Sequence, residues 1–244
     1  MTPDRPKIVC ISQARMTSTR LPGKVMLPIQ GKPLLAWHLE RLKRARRPDV
    51  VAVATVDAPE SAPIVELCRE LGVPVTPGPE DDVLARYHQC AAAHGADIVV
   101  RVTSDCPLID PELVDAVIDR FLAGGTDYVA LDVSVFPRGL DVEAFGRAGL
   151  DEAFARAVEP YEREHVTPYL YRRPDRFRVT RLGGGRGGEF RLCVDQDQDL
   201  ELVRRIAGEL AGTPDFGWRE LVGLLEARPQ LAALNAEVQQ KPAL

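Results

Sequence analysis

Three cations, Arg15, Arg20 and Lys24, fall within ten residues of one another on a stretch that also holds Ser18 and Gly23. A guanidinium grips an oxyanion through two parallel hydrogen bonds, and an ammonium supplies a compact charge. Backbone N–H groups around Thr17, Ser18 and Gly23 add a candidate anion-binding nest. Such a set suits a polyanion such as a triphosphate and the charge that develops on departing pyrophosphate. It is not a Walker loop, because Val25 follows Gly23-Lys24 where a magnesium-binding Ser or Thr is required, and the earlier glycine is absent. A metal serving this site therefore needs carboxylates from elsewhere. Asp105 and Asp195 each follow an apolar run, and two carboxylates brought together can hold one magnesium ion that also binds phosphate oxygens.

The elements that must position these groups follow from hydrophobic periodicity. Residues 8–11 are uniformly apolar and read as a buried first strand ending at the cationic loop. A helix is expected over 33–46, strands over 50–56 and 73–76, and a helix face at Ile64, Leu67, Cys68 and Leu71 between them. A helix over 81–94 and a strand over 97–102 follow; Asp110 caps a further helix with Pro111 at its first position. Repeated β-then-α units predict a parallel sheet covered on both faces, with ligands beyond the carboxyl ends of its strands. The cationic loop and the Ser104-Asp105 loop both leave such ends and are expected to share one crevice.

The pattern changes after Tyr128. Residues 129–145 read as a β-hairpin or detour around Pro137-Arg138-Gly139, followed by helices near 150–157 and 162–171. Strands over 176–181 and 190–194 are expected to be joined by a Gly-rich hairpin, and a helix is expected over 199–211. Residues 183–188 match G-x-G-x-x-G, but they precede a strand rather than a helix, so a dinucleotide fingerprint is rejected. The expected organisation is one α/β domain over 1–228, with 129–175 as an acceptor and dimerisation insertion and 229–244 as a tail.

Composition narrows the function further. A net charge of −5, with 45% hydrophobic and 27% charged residues, is that of an ordinary globular chain and excludes a nucleic-acid footprint. The five cysteines form no C-x-x-C pair and read as reduced, buried thiols of a cytoplasmic protein. Only a short apolar run follows Asp4 and Arg5, so no secretory leader is expected, and no stretch approaches a membrane span.

The string Gln13-Ala14-Arg15-Met16-x-Ser18-x-Arg20-Leu21-Pro22-Gly23-Lys24 resembles the opening of the cytidylyltransferases of the spore coat polysaccharide biosynthesis type. These are similar to the synthetases of CMP-activated sugar acids. The resemblance continues through Asp81-Asp82-Val83-Leu84-x-Arg86-Tyr87, Arg101-Val102-Thr103-Ser104-Asp105-Cys106-Pro107 and Phe136-Pro137-Arg138-Gly139-Leu140-Asp141-Val142-Glu143. It extends to Tyr161-Glu162-Arg163-Glu164-His165-Val166-Thr167-Pro168 and Val194-Asp195…Asp199-Leu200-Glu201, covering roughly residues 6–225. It implies a single Rossmann-like nucleotidyltransferase domain of the GT-A-like kind, a mostly parallel sheet with helices on both faces and a β-hairpin and helix insertion. The implied reaction moves CMP from CTP to a sugar acid or similar hydroxylated acceptor, with Mg2+ as cofactor.

Carried over by residue, the resemblance implies nucleotide binding by Gln13, Ala14, Arg15, Ser18, Arg20, Gly23, Lys24, Asp82, Arg101, Ser104 and Asp105. Arg15, Arg20 and Lys24 take the catalytic role and Asp105 and Asp195 hold the metal. Asp197 is the fallback ligand, because Gln196-Asp197-Gln198 stands where relatives often carry Thr-Pro-Glu. Arg138, Asp141, Glu143, Glu164 and His165 border the acceptor. A homodimer through 129–175 is also expected, because that segment mixes aromatic and apolar residues with charged ones and needs a cover. Two other functions fit parts of the chain. Asp195-Gln196-Asp197 spells the D-x-D of a glycosyltransferase using a nucleotide sugar, and a non-catalytic module sensing CTP would need the same cationic loop.

Overall fold

β1 (Ile8–Gln13) is an interior strand of a seven-stranded sheet, and Ile8 and Cys10 face one core cluster while Val9 and Ile11 face another. A strand buried on both faces has no polar side to present, which is why its sequence does not alternate. The computed structural model describes residues 5–213 and 215–238. After β1 come the short strands β2 (Pro28–Ile29) and β3 (Lys32–Pro33), which pair only with each other, and helix α1 (Leu34–Leu42). Then β4 (Val50–Val56), α2 (Ala62–Glu70), β5 (Val75–Gly78), α3 (Val83–Ala93), β6 (Ile98–Thr103) and α4 (Pro111–Leu122) alternate as the periodicity predicts.

The second half follows with β7 (Tyr128–Leu131), β8 (Glu143–Gly146), α5 (Arg147–Arg156), α6 (Pro160–His165), α7 (Pro168–Tyr171) and β9 (Val179–Leu182). The described chain closes with α8 (Asp197–Glu209), α9 (Trp218–Ala227) and α10 (Pro229–Ala232). The sheet order is β5-β4-β1-β6-β8-β7-β9, and β8 alone runs antiparallel to its neighbours. This is the mixed α/β, mostly parallel architecture expected. Gln13 pairs with Thr103 at the ends of β1 and β6, so the two loops that follow start side by side.

Several elements differ from expectation for identifiable reasons. α1 stops at Leu42 rather than running to 46, because Asp115 captures the N–H groups of Arg46 and Arg47. The strand expected over 190–194 is replaced by a single bridge between Arg138 and Arg191, so the Gly-rich segment is a crossing loop and not a hairpin. Its glycines allow close approach: a Cβ on Gly188 would collide with the Ser134 carbonyl. α9 was not expected, although Trp218, Leu221, Val222 and Leu225 hold helical spacing and are buried. In the segment after Arg228, Leu231 joins the same core cluster as Trp218, and Asn235 is 4% exposed.

The apolar residues over 129–175 largely find their cover within the chain. Phe136, Phe145 and Tyr169 are buried, and Phe154 and Tyr171 pack against the core. They therefore do not form the open face on which the expectation of a homodimer rested. Val158 remains on the surface at 82% exposure.

Candidate active site

The loop after β1 carries the cations to the carboxyl edge of the sheet. Gly23 turns it at φ +65° and caps the short 3-10 turn Lys24–Met26, which fixes the base of the Lys24 side chain. β6 delivers Ser104 and Asp105 beside it. The Asp195 segment is laid alongside by a backbone hydrogen bond from Val194 N to Asp105 O at 2.8 Å. Lys24 Nζ then donates at 2.8 Å to each of Asp105 Oδ2, Val194 O and Asp195 Oδ1. Arg20 reaches Asp195 Oδ1 at 2.8 Å, and Arg191 takes Asp195 Oδ2 at 2.6 Å.

Electrostatics decide the protonation states. Removal from water alone would raise the Asp105 carboxyl, but the Lys24 ammonium, with help from Thr103 and Cys106, overrides this and holds it at about 2. Asp195 is likewise pushed up by burial and pulled lower on balance by Lys24 and Arg191. Burial opposes the charge on Lys24, yet the two carboxylates raise its pKa. All three groups are therefore charged at neutral pH. Cys106 and Cys193 line the same cleft, but burial drives both thiols up, so they stay protonated.

The cleft encloses about 620 Å³. Of the residues expected to bind nucleotide, Gln13, Arg15, Ser18, Arg20, Lys24, Arg101, Ser104 and Asp105 line this cleft. Arg138, Asp141, Glu143, Glu164, His165 and Asp195 line the remainder. Ala14 is instead packed in the core, and Gly23 acts through its backbone turn. Asp82 caps α3 and pairs with Arg163, outside the cleft. Asp197 is exposed at the start of α8 and does not line the cleft, so Asp195-Gln196-Asp197 does not present two carboxylates to one ligand.

On the far side, Arg101 and Thr167 both bond Glu143 Oε2 at 3.0 Å. Burial raises the Asp141 carboxyl, and its Oδ2 accepts the Gly139 N–H at 2.7 Å. Glu164 and His165 sit exposed at the rim, where partial burial lowers the imidazole pKa and keeps it neutral at pH 7. Arg15 and Arg138 form no side-chain hydrogen bond or ion pair among the described residues. Sequence reasoning missed Thr167, Tyr171 and Cys193 as lining groups; only the first lies in a quoted motif. Arg191 lies in no quoted motif and Asp199 lies in one without an assigned role; both stand behind Asp195.

The cytidylyltransferase family pattern matches residues 9–211, most of the chain. The chain belongs to the cytidylyltransferase family. The spore coat polysaccharide biosynthesis protein SpsF of Bacillus subtilis is 33% identical over 92% of this chain and 96% of that protein. A 3-deoxy-manno-octulosonate cytidylyltransferase of Anaeromyxobacter dehalogenans is 35% identical over 93% of this chain and 98% of its own length. Among solved structures, a cytidylyltransferase from Leptospira borgpetersenii superposes with a TM-score of 0.90 at 30% identity, covering 98% of this chain and 100% of that one. The chain is thus an enzyme of CTP-dependent nucleotidyl transfer, and the cleft just described lies at the strand ends where this fold binds ligands. Among the described residues, no helix is long and apolar enough to cross a membrane.

Proposed function

We propose that this cytidylyltransferase moves CMP from CTP onto an acidic, hydroxylated acceptor of the sugar-acid kind, with magnesium and with release of pyrophosphate. The observation that carries the reading is the lysine ammonium seated among Asp105 Oδ2, Val194 O and Asp195 Oδ1, each at 2.8 Å. One cation already fits between these oxygens. Two carboxylates and a carbonyl are hard donors, and magnesium commonly takes one or two carboxylates and completes its shell with water and phosphate oxygens. Magnesium held by Asp105 and Asp195 would neutralise phosphate charge and favour in-line attack at the α-phosphorus.

The chain's own groups supply the rest. Lys24 holds the two carboxylates together without ligand and turns its ammonium to the triphosphate when CTP is bound. Arg15, which has no competing partner among the described residues, and Arg20 bind phosphate oxygens and stabilise the leaving pyrophosphate. Arg138 lines the cleft with no side-chain hydrogen bond or ion pair among the described residues and takes the acceptor carboxylate. Arg101 is tied to Glu143, so its role is to hold that carboxylate toward acceptor hydroxyls, with Glu164 and His165 at the rim. Positioning and electrostatics supply most of the rate, and no dedicated base is assigned.

Two further parts belong to the proposal. The enzyme works in the cytoplasm, consistent with five free, buried cysteines. It pairs through 129–175, for which Val158 is the remaining surface support. The test of the reaction is pyrophosphate release from CTP with a panel of sugar acids. Release that needs magnesium and an acid acceptor upholds the reading. Turnover that survives a chelator, or that accepts only neutral sugars, sinks it.

A further inference from the structure

The C-terminal turn Ala233–Asn235 lies outside every motif of the nucleotide site, yet it is wired to that site. Asn235 is 4% exposed, and its Nδ2 donates to Asp199 Oδ1 at 2.7 Å and to Arg191 O at 3.0 Å. The Asp199 carboxylate, whose side chain is fully buried, carries a dense set of donors. Arg191 Nε reaches its Oδ1 at 3.0 Å, while the N–H groups of Asp195 and Gln196 reach its Oδ2 at 2.9 and 3.0 Å. Asp199 therefore grips both the backbone of Asp195 and the arginine that binds Asp195. Arg191 in turn occupies Asp195 Oδ2 at 2.6 Å and leaves Oδ1 pointing to Lys24.

We propose that Asn235 is a positioning residue for the metal site, acting through Asp199 and Arg191 to keep Asp195 Oδ2 occupied and Oδ1 aimed at the cation. The inference rests on the magnesium reading above. Its physical basis is geometric. Asn235 is an amide donor that holds Asp199 on the side opposite Asp195. Without it, Asp199 keeps its arginine but loses one of the two side chains that fix its plane. Arg191 then has freedom to slide along Asp195 and engage both oxygens, which withdraws Oδ1 from the metal. Residues that orient a metal ligand in this way change metal affinity by roughly 10–100-fold when removed. A turn that only completed the core would change folding stability and leave metal affinity alone.

The experiment compares wild type, Asn235→Ala and Asp195→Asn by Mn2+ titration in the presence of CTP, read by electron paramagnetic resonance, with Tm recorded for each. Arg191→Lys, which keeps the charge but loses the fork, replaces Asn235→Ala if that variant does not fold. The expected result is Mn2+ binding weakened about tenfold in Asn235→Ala, with the KM for CTP at saturating metal unchanged. A lower Tm with Mn2+ affinity within twofold of wild type overturns the positioning role and leaves the magnesium reading intact, provided Asp195→Asn abolishes binding. Mn2+ affinity that survives Asp195→Asn overturns both.

Discussion

The two carboxylates that meet at Lys24 arrive on differently built arms. Asp105 stands two residues after β6, a strand whose register with β1 is fixed over six residue pairs. Behind it, the His38 ring bonds Ser12 Oγ at 2.9 Å and the Cys106 carbonyl at 2.9 Å, so the loop is pinned to β1 from beneath. Asp195 stands on an irregular segment that has no strand of its own. Its place comes from side chains, Arg191, Asp199 and Asn235, and from close backbone packing of Gly139 on Leu192 and Cys193. One arm is held by a sheet ladder and the other by a polar network. The difference teaches that a site can be half prescribed by a sheet ladder and half by a side-chain network, here made of near neighbours in sequence and tied down by one residue, Asn235, far along the chain.

The largest effect is expected where the arms join. Lys24→Ala removes the cation common to both, and turnover should fall by about 10²–10³; stability should fall as well, because Asp105 and Asp195 stay largely buried without the ammonium that they share. Assaying pyrophosphate release with CTP checks this, and near-normal turnover would remove Lys24 from the mechanism. The next effect falls on the Asp195 arm alone. Gly139 sits at φ +101°, and a Cβ there would meet the backbone of Leu192 and Cys193. Gly139→Ala should cost roughly 2–3 kcal/mol in denaturant unfolding and weaken metal dependence. If stability holds and metal use is unchanged, the Asp195 arm does not depend on the insertion.

A pH experiment isolates the Asp105 arm. Burial lowers the His38 pKa from 6.5 to about 4. The unfolded chain takes up its proton first as pH falls, so the contribution of neutral His38 is complete above 6.5 and is lost on the way down to about 4. Between pH 7 and pH 5 the loss should be about 2 kcal/mol. Unfolding curves should show this slope in wild type and not in His38→Gln; an equal slope in both would place the titrating group elsewhere. The smallest effect concerns pairing. Val158→Asp should convert a dimer to monomers in light scattering at micromolar concentration without changing metal affinity. A wild-type monomer would end the dimer proposal.

The same contrast explains what was legible in the sequence. The parallel half could be read because its strands are apolar on both faces, its helices carry buried stripes, and Asp110 with Pro111 marks a helix start that the structure keeps, with the Asp110 carboxylate accepting the Glu112 and Leu113 N–H groups. The loops after β1 and β6 could therefore be placed in one crevice from periodicity alone. The end of α1 could not, because it is set by Asp115, far along the chain. Nor could the segment over 190–194: its apolar residues look like a strand, but a single bridge to Arg138 and the packing of Gly139 leave no room for a ladder. Asp82, implied by the resemblance to bind nucleotide, has its side chain on the N-terminus of α3, where it accepts the Ala85 N–H. Arg191 and Asp199 lie close to Asp195 in sequence, but nothing there announces Asn235, whose bonds to both exist only once the C-terminal segment has folded back.

The central claim is that both arms serve one metal ion bound with CTP. A double-mutant cycle on Asp105→Asn and Asp195→Asn, read as Mn2+ affinity in the presence of CTP, tests it directly. Each single change should remove most of the affinity, and the double variant should lose little more than either, because one ion cannot be lost twice. Losses that add independently would mean that the two carboxylates do not share an ion.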